Sequence, residues 1–115
     1  GFADDRDGNN YQLQAFGRGT NLHAVWDSAL IRNWPGGEHA LRTAVNTEMA
    51  RSVAHGKAAV WAEESCAIVL AHGFYPQGRQ LGAGYQDRWA TTLERQLAIA
   101  AQRLATVLNQ ALPGR

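Results

Sequence analysis

The sequence predicts an all-α fold in a single domain, residues 1–115, with an irregular N-terminal arm over residues 1–20. Apolar residues recur at helical spacing in four segments, and this periodicity is the main indication of helices. Glycine or proline stands where each segment ends. A length of 115 residues allows one hydrophobic core but is short for two independent domains.

The arm begins with a stretch rich in turn-forming residues. Six residues over 4–10 are Gly, Asn or Asp. Tyr11, Leu13 and Ala15 then alternate with glutamines before the glycines of 17–19. We therefore expect a loop, a short extended or irregular piece, and a turn.

The first predicted helix covers residues 21–34. Asn21, or Thr20 before it, can cap its N-terminus, because short polar side chains accept hydrogen bonds from the first free backbone amides. Pro35 ends it, since the residue before a proline avoids helical geometry. The apolar stripe consists of Leu22, Val25, Trp26, Ala29 and Leu30.

Two further helices are predicted over residues 38–55 and 57–72. The first has one apolar stripe, and Gly56 is placed to end it. The second is apolar almost all round and ends at Gly73, so we expect it to lie deep in the core.

The most regular pattern predicts a final helix over residues 85–112, after a glycine-rich loop over 73–84. Pro113 ends this helix. Its long apolar seam consists of Trp89, Leu93, Leu97, Ala100, Leu104, Val107 and Ala111.

Composition and charge limit the function. An apolar share of 45% and a charged share of 18% are typical of a globular protein, and no apolar run is long enough to cross a bilayer, so we expect no membrane partner. A net charge of +1 gives no long-range field for a polyanion, so nucleic-acid binding needs a local site such as a metal. The start at Gly1, without Met or a signal region, is expected of a processed or truncated chain.

His23 and Asp27 lie four residues apart on the first predicted helix, at the margin of its apolar stripe. A neutral imidazole and a carboxylate both suit zinc, so the pair is a candidate for two ligands of one ion. A zinc site needs three or four ligands, and on spacing alone an exposed ion pair is the commoner arrangement.

The other reactive side chains indicate no site. Glu63 and Glu64 diverge by about 100° as neighbours on a helix, so they cannot act on one bond. The remaining histidines lie near predicted helix ends, where solvated roles are commoner. They are His39, His55 and His72.

One element is specific, the order Asn-Leu-His-x-x-Trp-Asp over residues 21–27. Together with segments 1–6, 12–16, 61–66 and 74–76, it is similar to the C-terminal part of the zinc-dependent single-strand nucleases of the S1/P1 type. The resemblance covers nearly the whole chain.

The resemblance implies the helical fold shared by these nucleases and zinc-dependent phospholipases C, present here as its C-terminal part. It implies a secreted or periplasmic enzyme with a cluster of three zinc ions. Such an enzyme hydrolyses phosphodiester bonds of single-stranded DNA and RNA to 5′-phosphorylated products, often with 3′-nucleotidase activity. His23 and Asp27 match two ligands of one zinc. The remaining ligands and the catalytic aspartate match positions upstream of Gly1, so we expect no catalytic residue in this portion.

The same resemblance leads to expectations for Cys66 and for the turn at residues 7–9. By itself a lone cysteine such as Cys66 is interpreted as a small buried hydrophobe. Under the resemblance, Cys66 matches a cysteine that commonly forms a disulfide with the N-terminal portion of the enzyme. That portion is also the expected partner of this chain. The family's Gly-Gly-Asn turn reads Asp7-Gly8-Asn9 here, which puts the local turn geometry in doubt.

Three functions remain open: a single-strand nuclease, a phospholipase C of the same zinc class, and a non-catalytic helical interaction module. In the last, His23 and Asp27 form a surface pair. Zinc content separates the module from the two enzymes, and single-stranded DNA against phosphatidylcholine separates the enzymes. The sequence indicates no substrate-binding residues.

Overall fold

The computed structural model describes residues 4–51, 56–112 and 114. Strands β1 (Gln12–Ala15) and β2 (Arg18–Asn21) come first. Helix α1 follows in three successive segments, α-helical over Leu22–Ala24, π-helical over Val25–Ala29 and α-helical over Leu30–Arg32. Then come helices α2 (Gly37–Arg51) and α3 (Ala58–Leu70), strand β3 (Gln80–Leu81) and helix α4 (Ala83–Ala111).

The fold is mostly helical but contains a small three-stranded sheet, which the all-α prediction lacks. The strand order is β2-β1-β3, with β1 antiparallel to β2 and parallel to β3. Leu13 and Ala15 are buried while Gln12 and Gln14 are exposed, which is the alternation of a strand with one covered face. The expected short extended piece around Leu13 is strand β1, whereas the second strand, Arg18–Asn21, was not expected.

A two-residue turn of Phe16 and Gly17 joins β1 to β2. Both residues have positive φ, +51° and +74° respectively. This combination matches the right-handed twist of paired strands, so the turn sets the hairpin register, Ala15 opposite Arg18.

Helix α1 begins with a side-chain cap. Asn21 accepts a hydrogen bond from the Ala24 amide through Oδ1 at 2.8 Å, so Asn21 rather than Thr20 is the capping residue. Further along, the Leu30 amide donates to the Val25 carbonyl five residues back, the wider turn of a π-helix. Regular helix ends at Arg32, two residues short of the predicted 21–34.

Helices α2 and α4 pack along one another. Residues 52–55 of the helix predicted over 38–55 lie outside the described residues, and so does His55. The core joins the sheet, α1 and α4. Its buried members are Leu13, Ala15, Leu22, Val25, Leu30, Trp34, Leu41, Phe74, Trp89 and Leu93.

Helix α3 does not lie deep in the core, contrary to the prediction for residues 57–72. None of its 13 described residues is buried, and Val60 and Leu70 are 43% and 65% exposed. Its contact with α4 includes an ion pair between Glu64 and Arg103. A helix that is apolar all round needs cover on several sides, and the described part of the chain covers only part of α3.

The predicted seam of α4 is buried only in its first half. Trp89, Leu93 and Ala98 are buried, whereas Leu104 and Val107 are 60% and 47% exposed. The helix begins at Ala83, two residues before the predicted 85–112. Within the described ranges, no helix is both long enough and apolar enough to cross a membrane.

Candidate functional site

A cavity of about 330 Å³ lies where the N-terminal turn, helix α1 and the loop after α3 meet. His23 and Asp27 both line it, so the structure places the two predicted ligands at one cavity. Both side chains are exposed. The other lining residues are Asp7, Gly8, Leu22, Trp26, Val69, Phe74 and Tyr75.

The local geometry of α1 explains how two polar side chains sit beside a buried stripe. His23 lies in the first, α-helical segment, and Asp27 lies in the π-helical segment. Leu22 and Val25 on the same turns are buried. The wider π turn adds a residue to the helix locally, and such turns are frequent at functional sites.

The imidazole of His23 has a defined partner. Its Nδ1 lies 3.2 Å from the backbone carbonyl of Asp7. A carbonyl oxygen only accepts, so in this hydrogen bond Nδ1 carries the proton of the neutral ring. The lone pair is then on Nε2, which is the arrangement of a metal-binding histidine whose second nitrogen is held by the protein.

The Asp7 carbonyl belongs to a tight turn over residues 4–10. Arg6, Asp7 and Gly8 have successive φ values of +51°, +59° and +84°. Asp5 closes the turn, because its Oδ1 accepts from the Gly8 amide at 3.1 Å and its carbonyl accepts from the Asn10 amide at 2.9 Å. The doubt about this turn is thus answered: Asp7 takes the left-handed conformation that glycine adopts more easily, and aspartate tolerates it better than most residues.

Gly8 brings the turn against α1. A Cβ atom at this position would lie 3.0 Å from the His23 amide nitrogen and 3.3 Å from the Leu22 Cβ. The Gly8 carbonyl also accepts from the His23 amide at 3.4 Å. Glycine is needed here both for its positive φ and for this close approach.

Aromatic residues support the wall of the cavity beside Asp27. Trp26 and Phe74 stack with ring centroids 4.7 Å apart, and Trp89 packs edge-on against both. The Trp26 indole donates to the Tyr85 hydroxyl at 2.9 Å, and that hydroxyl donates to the Phe74 carbonyl at 2.7 Å. Burial raises the pKa of Tyr85 to about 12, so this phenol remains a neutral donor.

The other reactive side chains singled out from the sequence and described in the structure do not line the cavity. His39 and His72 are exposed, and Glu64 pairs with Arg103. Cys66 is an exposed free cysteine on α3, so its interpretation as a small buried hydrophobe is wrong.

Sequence reasoning did not find Asp5 and Tyr75. The Tyr75 hydroxyl donates to Asp5 Oδ2, and the two residues are 70 positions apart in the chain. An aspartate three residues before a glycine, in a segment of Asn, Asp and Gly, is the pattern of a side-chain-closed turn. That pattern indicates the role of Asp5 in the turn, whereas the long-range contact with Tyr75 has no local signal.

Comparison with known proteins identifies the class to which this fold and cavity belong. A sequence model of the family S1/P1 Nuclease matches residues 1–113, and the chain therefore belongs to the S1/P1 nuclease family. This is a family of zinc-dependent single-strand nucleases. No curated protein matches the chain.

The donors at the cavity fit zinc but do not complete a site. An imidazole with a free Nε2 and a carboxylate are both zinc ligands. Among the residues that the structure describes, no group of three or more His, Cys, Asp or Glu side chains can hold a metal. His23 and Asp27 therefore bring two donors of the kinds that zinc takes to one cavity.

Proposed function

We propose that this chain is part of a zinc-dependent endonuclease. The enzyme hydrolyses phosphodiester bonds of single-stranded DNA and RNA to 5′-phosphorylated products and also acts as a 3′-nucleotidase. The observation that carries the proposal is the cavity shared by His23 and Asp27, in which the Asp7 carbonyl holds Nδ1 of the imidazole. Membership of the S1/P1 family supports the reaction class.

His23 and Asp27 hold one zinc ion in this proposal. The imidazole contributes Nε2 and the carboxylate contributes charge, while the stacked Trp26 and Phe74 keep the supporting wall rigid. Bound zinc supplies Lewis-acid activation of the phosphate and of water. The chain's own residues therefore bind and orient, and the proposal assigns the catalytic groups to the N-terminal portion of the same enzyme.

That N-terminal portion is the proposed partner, and it completes a cluster of three zinc ions. The support is that a tight zinc site needs three or four protein ligands, whereas among the described residues no group of three or more His, Cys, Asp or Glu side chains could hold a metal. We also propose a secreted or periplasmic location. Cys66 is exposed and therefore accessible for a disulfide with the N-terminal portion, which oxidising compartments preserve.

The test is His23→Ala in the full-length protein, with zinc content and cleavage of single-stranded DNA measured on the same sample. Because removing one ligand weakens a metal site strongly, we expect zinc content and cleavage to fall together. His39→Ala is the matched control, since His39 is an exposed histidine on α2 away from the cavity. Unchanged zinc stoichiometry in His23→Ala would falsify the assignment.

A substrate comparison completes this experiment. The unmodified protein is assayed on single-stranded DNA and on phosphatidylcholine. We expect turnover of the DNA. Turnover of the lipid alone would replace the nuclease with a phospholipase C, and the absence of zinc would leave the interaction module.

A further inference from the structure

A hydrogen bond links the N-terminal turn to the loop after α3. The Tyr75 hydroxyl donates to Asp5 Oδ2, and both side chains are partly buried. We propose that the Asp5–Tyr75 pair positions His23 by fixing the backbone carbonyl that holds its imidazole. The inference rests on the proposed function, because it treats His23 as a zinc ligand, and it assigns a positioning role to two residues that do not bind the metal.

The first step is the connection from the pair to the turn. One oxygen of the Asp5 carboxylate faces Tyr75, and the other accepts from the Gly8 amide at 3.1 Å. The carboxylate therefore bridges a residue of the loop after α3 and the backbone of the turn. A carboxylate bound through both oxygens has less freedom to rotate than one bound through a single oxygen.

The second step is the connection from the turn to the imidazole. The Asp7 carbonyl lies 3.2 Å from His23 Nδ1, and the next carbonyl, that of Gly8, accepts from the His23 amide at 3.4 Å. Both contacts come from adjacent peptide units of the same turn. A shift of the turn relative to α1 therefore moves the acceptor away from Nδ1.

The third step is that the turn needs contacts to keep its shape. Arg6 and Asp7 have positive φ, a conformation that residues other than glycine rarely adopt, so surrounding interactions must stabilise it. Asp5 provides them through its side chain to Gly8 and its carbonyl to Asn10. Tyr75 in turn anchors the side chain of Asp5 to a different part of the fold.

The consequence is control of the imidazole tautomer. With the Asp7 carbonyl in place, the proton is on Nδ1 and Nε2 is free to bind metal. An exposed histidine without such an acceptor favours the tautomer with its proton on Nε2, which blocks that nitrogen. His23 is exposed, so the backbone contact is what selects its tautomer.

The chain offers a matched control. Tyr11 also ties the N-terminal arm to the loop after α3, because its hydroxyl donates to the Pro76 carbonyl at 2.6 Å. Tyr11 and Tyr75 pack edge to face, with ring centroids 5.2 Å apart. Tyr11→Phe thus removes a phenol hydroxyl between the same two segments without removing the partner of Asp5.

The experiment compares Tyr75→Phe with Tyr11→Phe in the full-length protein. In metal-free samples, at a pH where the imidazole is neutral, nitrogen-15 NMR reports which nitrogen of His23 carries the proton. Zinc affinity is measured separately by competition with a chelator. We expect the Nδ1–H tautomer in the unmodified protein, a shift toward Nε2–H in Tyr75→Phe, and zinc binding weakened on the order of 10- to 100-fold. Tyr11→Phe should keep the tautomer and the affinity.

Asp5→Asn provides a second variant, since it keeps an acceptor for the Gly8 amide but removes the charge facing Tyr75, and we expect an effect in the same direction. If the tautomer of His23 stays Nδ1–H in both variants, the positioning role is overturned even when nuclease activity exists. Another outcome is that the tautomer shifts as expected while His23→Ala still binds zinc as the unmodified protein does. In that case the proposed function fails instead, and the positioning of His23 has no effect on metal binding.

Discussion

At the scale of single residues, the candidate site depends on backbone groups as much as on side chains. In the proposed site His23 and Asp27 carry the donor atoms, and the Asp7 carbonyl lies 3.2 Å from His23 Nδ1 and would set which nitrogen the imidazole offers. Gly8 permits this arrangement because it has no Cβ, which would lie 3.0 Å from the His23 amide nitrogen at the start of α1. The proposed site therefore depends also on residues that do not bind the metal themselves.

The substitution Gly8→Ala tests whether glycine is required at this position. The new Cβ would lie 3.0 Å from the His23 amide nitrogen, and φ at this position is +84°. Gly17→Ala is the control, since Gly17 also has positive φ but its Cβ would meet none of the described residues within 4 Å. We expect Gly17→Ala to lower the free energy of unfolding by about 1 kcal/mol through backbone strain. Gly8→Ala should cost about 1–2 kcal/mol more through overlap.

Chemical denaturation measures both variants, and zinc affinity gives a second readout. Gly8→Ala should weaken zinc binding because the overlap pushes the turn away from His23, whereas Gly17→Ala should not. Equal stability of the two variants, with equal zinc affinity, would show that the turn adapts without displacing the imidazole.

That His23 and Asp27 line one cavity could be predicted at this scale, whereas the long-range contacts around that cavity could not. A separation of four residues places His23 and Asp27 near one another on a helix, so a single segment contains this signal. The contact between Tyr75 and Asp5 joins residues 70 positions apart. Local sequence patterns cannot predict such a contact, because it forms only when the tertiary fold brings the two segments together.

At the scale of secondary-structure elements, the helices were predictable and their environments were less so. The Asn21 cap and the break before Pro35 are local effects, and the structure contains α1 between them. The alternation of Leu13 and Ala15 with glutamines also indicated a strand, but four residues are too few to distinguish it from an irregular piece.

The burial of α3 could not be predicted from its own residues. An all-round apolar helix is expected in a core only when neighbouring elements cover each side. In the described structure Leu70 and Cys66 are exposed, so the pattern correctly predicted a helix and wrongly predicted its surroundings.

The exposure of Cys66 leads to a prediction for α3. We expect Cys66 to be oxidised in the mature protein, because the proposed compartment preserves disulfides and the sulfur is accessible on the helix surface. Alkylation of the unreduced, denatured full-length protein should leave Cys66 unlabelled, and reduction should make it label. An intact mass with and without reductant identifies any attached chain. Full labelling before reduction would show a free surface thiol.

At the scale of the whole molecule, the described chain leaves apolar surface uncovered. Large exposed apolar side chains lie on α3 and along the C-terminal half of α4, and exposed apolar patches mark interaction sites when they are contiguous and large. These side chains are Val60, Leu70, Leu104, Val107, Leu108 and Leu112. Among the described residues, no group of three or more His, Cys, Asp or Glu side chains could hold a metal ion. Both observations agree with the proposal that the N-terminal portion of the enzyme packs here and completes the site.

The last prediction concerns the 115-residue chain by itself. Because this chain holds only two of the proposed zinc ligands, most of the zinc coordination falls to water, so the isolated chain should bind zinc weakly. It should not cleave single-stranded DNA at any zinc concentration that keeps it in solution, and cleavage should return when the N-terminal portion is added. The assay uses purified chain whose mass excludes that portion, with the full-length enzyme as the positive control. Zinc-dependent cleavage that co-purifies with the 115-residue species alone would show that His23 and Asp27 belong to a site complete within this chain.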